Sequence, residues 1–421
     1  MTVDAPPRPR RATGRGPGRA KRCAGLAALL GLIAGLSVPG AQAATSELQA
    51  ACLAEPSAAC VFATAEELAR RQTPPERHIV AVAVAWAETG DFQHAAAVIA
   101  TLQPFSPSHE DALRRLSAVA ARQGREQVLA SLLAEIQNER TAEQARADAA
   151  VAYARAGHVE QARALLSGLS FPADRASVLA EIGLAEEKAG RPEQAETAFA
   201  AARASIEQGE VAMSTLGIAL ARAGHIDQAL EVGKGLVAGT PLYALQVAVV
   251  SGLLDADRVS RALAVIEEIP NAGIRDAARL KILAFLLEAR RDTQADELAA
   301  TFDDGMDDPK VKIAYSRALA RRGDFGAAIA MIEGLDPSTR SPVHYAIARQ
   351  QIAQQDLSGA KASLEQVTNG RQRQDLLRLI ALAEASSGSP HQALATALSI
   401  EPDRPRLAAL LDLAKSLAQD P

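Results

Sequence analysis

The chain has 421 residues, 48% of them apolar and 3% aromatic, with a formal net charge of −5. That length is more than one hydrophobic core supports. The acidic balance excludes a protein that holds nucleic acid through bulk positive charge, and three cysteines are too few for a disulfide framework.

The first 43 residues do not read as part of a fold. Arg8, Arg10, Arg11, Arg15, Arg19, Lys21 and Arg22 form a basic region, Ala24 to Val38 an apolar run, and Ala41-Gln42-Ala43 a small-residue cleavage pattern. This is the layout of a secretory signal peptide, with cleavage near Ala43 and a periplasmic mature chain. The apolar run is short for a membrane span, which needs about 20 residues; an uncleaved anchor is the rival reading. The segment holds seven of the 45 Lys/Arg and one of the 50 Asp/Glu, so the remainder carries 38 bases and 49 acids, a net of −11. That further disfavours nucleic acid, and the mature chain has no run suited to crossing a membrane.

Residues 44–73 read as an N-terminal capping hairpin. Cys52 and Cys60 flank a turn at Pro56-Ser57, with Ser57 as a helix N-cap. In an oxidising compartment the expectation is a disulfide across the hairpin; two unpaired buried thiols are the alternative.

From residue 74 to about 403 one unit recurs. Turn positions fall at Gly90, Gly124, Gly157, Gly190, Gly224, Asp257, Arg290, Gly323, Gln355 and Gly388. Seven of these ten are Gly, and nine have Ala five residues later, Leu129 being the exception. Gly suits the left-handed residue that ends a helix, and the small Ala lets two backbones approach. Val159, Ala162, Leu165, Leu166 and Leu169 share one helical face after Gly157. Thr141-Ala142-Glu143-Gln144 has the pattern of a capping box, and Thr73 that of an N-cap before Pro74-Pro75. Such a period predicts an all-α solenoid of about ten helix-turn-helix repeats, closed at its ends by capping helices, the last spanning 404–421. Pro104, Pro107, Pro172, Pro241, Pro270, Pro309, Pro337, Pro342 and Pro402 punctuate the loops. The acidic stretch 302–310 lacks the ligand pattern of a calcium loop and reads as a connector, with Asp308 capping the helix that follows.

The unit resembles the tetratricopeptide repeat family over about residues 75–405. The resemblance rests on the period, the small first-helix residue (Gly183, Gly217), the aromatic four before the turn (Trp86, Tyr153), the turn Gly, the following Ala, and Pro107, Pro241 and Pro405 between units. The chain departs from it at the aromatic position (Leu220, Leu253, Glu186, Gln351) and at the turns Asp257, Arg290 and Gln355. What the resemblance implies is a concave surface, lined by the first helices, that takes peptides or protein segments.

No catalytic, cofactor or metal constellation is present in the sequence. The seven His are scattered without a ligand cluster, and His158 and His225 share one position just after the turn. Gly233-Lys234-Gly235 falls within a predicted helix and lacks the spacing of a phosphate loop. Trp86, Tyr153, Phe199 and the apolar stretch 281–287 read as core. One row is not core. Two residues before successive turns stand Arg122, Arg155, Lys188 and Arg222, then Asp255 and Glu288, then Arg321. By the resemblance this row lies toward the concave face, and its cations are candidates for holding an anionic segment or carboxylate terminus of a partner. The competing reading is that each cation only answers the negative end of its own helix.

The functional expectation is a non-enzymatic periplasmic scaffold that binds a protein or peptide, in envelope assembly or export, without a cofactor. The alternative is a carrier that holds a lipid, glycan or peptidoglycan fragment in the superhelix groove.

Overall fold

The computed structural model describes residues 48–206 and 209–419. The segment read as a signal peptide lies outside them. Every regular element among the described residues is helical. Residues 48–54 form α1, and Ala58–Arg71 form α2. Ten hairpins follow, each a first helix, a turn and a second helix. The first four are α3/α4 (Glu76–Glu88, Phe92–Ile99), α5/α6 (Pro107–Arg122, Glu126–Glu135), α7/α8 (Glu139–Arg155, Val159–Leu166) and α9/α10 (Pro172–Lys188, Pro192–Ala204). The middle three are α11/α12 (Glu210–Arg222, Ile226–Gly233), α13/α14 (Thr240–Asp255, Val259–Glu267) and α15/α16 (Ala272–Glu288, Asp292–Ala299). The last three are α17/α18 (Pro309–Arg321, Phe325–Met331), α19/α20 (Pro337–Ala353, Leu357–Leu364) and α21/α22 (Gly370–Ser386, Pro390–Leu398). The helix α23 (Asp403–Gln419) ends the described chain. The fold is thus an all-α repeat array.

The ten turns are one device. In each, the N–H after the turn residue donates to the carbonyl five residues back, as His158 does to Tyr153 at 2.9 Å and Asp356 to Gln351 at 2.9 Å. This bond closes a helix only when the residue between is left-handed. Gly meets that condition freely, yet Asp257, Arg290 and Gln355 adopt it too, with φ of 59°, 57° and 63°. Losing Gly therefore leaves the turn unaltered and shifts the cost into local strain of about 1–2 kcal/mol per L-residue. Arg290→Gly is expected to raise stability by about 1 kcal/mol and Gly157→Ala to lower it by about 1–2 kcal/mol, read as opposite shifts of the urea midpoint. The nine alanines that follow the turns are all fully buried, which explains their size. Gly183 has the same cause: a Cβ there would lie 2.5 Å from the Phe199 ring.

Several helix starts differ from the sequence expectation. The cap of α7 is Asn138, whose side chain accepts from the Thr141 N–H, so the capping-box reading of Thr141 starts the helix too late. The helix after Thr73 begins at Glu76, with Pro75 at the cap position. Gly233 ends α12, and Lys234 follows as its C-cap. Ser57 and Asp308 do cap α2 and α17.

The first helices pack in order, each closely against the first helix of the next unit, whereas successive second helices stand farther apart and meet through long side chains, as Gln161 meets Glu126 and Gln228 meets Glu196. Neighbours on the outside of a curve stand farther apart than those on the inside. The first helices therefore form the inner wall. That wall has no free ends. α23 packs against α21 as the next first helix would, and also against α3 and α2. α2 in turn contacts α23 and α3, as a second helix contacts its own and the following first helix. The two chain ends together complete an eleventh hairpin and close the circuit, so the elements expected to cap two separate ends instead cap one another. Val61, Phe62 and Ala65 share one continuous core with Leu407, Leu410, Leu411 and Leu413. Gln72 donates to Asp403 at 3.2 Å, and Lys415 to Glu88 at 3.0 Å.

Cys52 and Cys60 lie at disulfide distance, with Cα atoms 5.5 Å apart. A bridge over so short a loop is worth about 2–3 kcal/mol. Cys52→Ser is expected to lower the unfolding free energy by that amount under oxidising conditions and to have almost no effect in excess reductant.

Candidate functional site

The structure separates the row of cations into two kinds. Arg122 pairs with Glu88 of the preceding first helix at 3.3 Å, and Arg321 pairs in the same way with Glu288. Both are pairs between partly exposed groups, worth about 0–1 kcal/mol, and Glu88 is shared with Lys415. Glu288, part of the acidic break in the row, thus serves as a partner for the next cation.

Arg155, Lys188 and Arg222 behave differently. They come from the ends of three consecutive first helices, α7, α9 and α11, and line one cleft of about 250 Å³. Ala154, Gly157, Leu184, Ala185 and Ala189 complete its walls. The only carboxylate lining it is Glu181, seven residues before Lys188 and so two turns up the same face of α9. Glu181 accepts from Arg155 at 2.6 Å and lies 3.9 Å from Arg222. That hydrogen bond holds the Arg155 guanidinium above its ordinary pKa. Lys188 is exposed and has no carboxylate within ion-pair distance among the described residues. Its neighbour Glu187 faces the other way, 3.6 Å from His225. The cleft therefore holds three cations and one anion.

Each of these cations stands in the last turn of its own helix, where the negative end of the dipole favours it without a direct bond. Direct contacts to helix-end carbonyls are made by other side chains: Gln123 donates to the Ala87 and Glu88 carbonyls, and Arg322 to that of Leu287. Arg155 and Arg222 instead turn toward Glu181, and the carbonyls at their helix ends are taken up by the turn bonds already described. Sequence reasoning placed the three cations in one row but missed Glu181. Its signal was there, since a residue seven before the row position lies on the same helical face.

The larger concavity lies at the closure, about 770 Å³, with Ile352, Leu379 and Leu382 beside Glu88, Arg122, Arg378, Asp412 and Lys415. Each of its charged groups is paired, Arg122 with Glu88 as above. Lys415 bridges Glu88 and Asp412, and Arg378 bridges Asp412 and Asp375. His158 and His225 sit at the N-cap positions of α8 and α12, their rings edge-on to Tyr153 and Phe199. Tyr153 and Phe199 are buried core, as are Ile282, Leu283, Leu286 and Leu287. Trp86 is half-buried, stacked between Phe62 and His94. Among the described residues no group of His, Cys, Asp and Glu is arranged to hold a metal ion, and no helix is long and apolar enough to cross a membrane.

No protein-family description and no curated protein matches the chain. Solved structures similar to it include the following two. Ton1535 from Thermococcus onnurineus NA1 is 16% identical, over 70% of this chain and 96% of that one, with a TM-score of 0.25. A circular tandem repeat protein with novel repeat topology and enhanced subunit contact surfaces is 12% identical, over 90% of this chain and 86% of that one, with a TM-score of 0.13.

Proposed function

We propose that this chain is a periplasmic scaffold of the tetratricopeptide kind, which holds a segment of a protein partner against the inner wall of its helical circuit in envelope assembly or export. The observation that carries the reading is the cleft of Arg155, Lys188 and Arg222, where cationic side chains from three units face one carboxylate. The export half rests on the basic, apolar and Ala41-Gln42-Ala43 pattern of the first 43 residues. Repeat arrays offer long surfaces for such work, and their chemistry is set by side chains rather than by fold.

A second reading, a carrier of a lipid, glycan or peptidoglycan fragment, has one observation in its favour. The concavity at the closure has the volume of a small-molecule site and apolar side chains in its lining. The aromatic content of 3% offers little for stacking against sugars.

In-cell crosslinking of the tagged protein, with mass spectrometry of the envelope fraction, separates the readings. One protein captured by the wild type and lost on Arg155→Glu, Lys188→Glu and Arg222→Glu supports the scaffold and its cleft. A co-purifying lipid or glycan without a protein favours the carrier. Recovery of the chain in the cytoplasm with residues 1–43 intact removes the export half.

A further inference from the structure

We propose that the cleft between α7, α9 and α11 is a binding site for a phosphoryl group, either free phosphate or a phosphate monoester. The inference rests on the reading that the inner wall is the ligand-bearing surface, and it names the chemistry of one site there. Three cations and one carboxylate leave an excess of two positive charges. A phosphoryl group near neutral pH carries about −1.5 to −2. The cations stand on three successive helices and line one cleft, so three separate donors are available for the three oxygens of a phosphoryl, one more than the two oxygens of a carboxylate can use. Arg155 and Arg222 supply guanidinium forks that match phosphate geometry, and Lys188 supplies a charge with no carboxylate of its own. About 250 Å³ admits the phosphoryl and a few attached atoms, with Leu184, Ala154 and Ala185 at hand for an apolar ester group.

Glu181 makes the site tunable in both directions. It already occupies part of the cationic surface, so Glu181→Gln is expected to tighten phosphate binding. Lys188→Gln breaks no ion pair, is not expected to disturb folding, and should weaken binding about tenfold.

Isothermal titration of the full mature chain with inorganic phosphate, glycerol 3-phosphate, sulfate and malonate tests the assignment. The expected result is saturable phosphate binding that weakens in Lys188→Gln, strengthens in Glu181→Gln and is unchanged in Arg122→Gln. Phosphate affinity should rise from pH 5.5 to 7.5 as its second proton leaves. Sulfate, a dianion throughout, serves as the control whose affinity should stay level over that range. Glycerol 3-phosphate binding more tightly than phosphate identifies an esterified source, and the reverse identifies the free ion. Malonate binding as tightly as phosphate, affinity unmoved by Lys188→Gln, or no saturable binding by the wild type overturns the proposal. If a protein partner is still crosslinked after such a failure, the scaffold reading stands without this site. If phosphate binds and no partner is captured, the site stands without the scaffold.

Discussion

Removing residues 399–421, and with them α23, is expected to change the fluorescence of Trp86, the only tryptophan, more than 300 residues away in sequence. In an open array each repeat contacts only its neighbours, so deleting one end leaves the other untouched. Here the deletion strips the first-helix partner from α2, whose Phe62 ring lies 3.8 Å from Trp86. It also removes Leu407, Leu410 and Leu413 from the core they share with Val61 and Phe62. The loss is large, because even one buried leucine cut to alanine costs about 2–5 kcal/mol. Leu410→Ala alone should cost that much, measured by urea unfolding. The deletion should lower the midpoint further and raise the radius of gyration in small-angle scattering. A synthetic peptide of residues 403–419 should restore the Trp86 signal. An unchanged Trp86 spectrum and radius in the truncated chain would mean that the circuit is not closed in solution.

The repeat frame was legible because it is local. The Gly turn, the Ala five residues later and the helical spacing each report on one hairpin, and all recur often enough to stand out. Closure is not local. Whether an array curves into a circuit depends on a small rotation added at every unit, and no residue encodes the sum. One trace was still readable. The segment 58–71 precedes the first full unit, with only the short α1 before it, and 403–419 follows the last full unit. Read singly, each looks like a cap; read together, they are the halves of one unit. The candidate cleft shows the same divide. The cations fell into a visible row, but the acids that sort them, Glu88, Glu181 and Glu288, come from two different row positions on adjacent helices.

The departures at the aromatic position, four residues before the turn, lead to the second large expected effect. Glu186, Gln351 and Glu384 stand there, buried, where the resemblance expects an aromatic ring. Each is held by side chains outside its own helix. Glu186 takes Arg163 at 3.1 Å, and Arg191 as well. Gln351 accepts from Ser363 at 2.7 Å, and Glu384 from Lys361 and Thr396, both at 2.7 Å. The Glu384 side chain is only 1% exposed, whereas Lys361 is half-exposed. The two partners are therefore not equivalent. Removing the cation and the hydroxyl together, as Lys361→Met with Thr396→Val, leaves a carboxylate buried without partners and should cost about 3–5 kcal/mol. Glu384→Leu removes the buried charge itself, and the freed Lys361 can turn to water. That change should be neutral or stabilising by about 1–4 kcal/mol. Equal losses from both variants, measured by urea unfolding at pH 7, would contradict the asymmetry. Acid provides an independent check at Glu186. Burial raises its pKa, but Arg191 and Arg163 outweigh burial and bring it below the ordinary 4.5. A carboxylate lowered in the folded state stabilises fully above its unfolded pKa, and that contribution is lost as the pH falls through the folded value. Glu186→Leu should accordingly flatten the loss of stability below about pH 4.5 while leaving the neutral plateau nearly level.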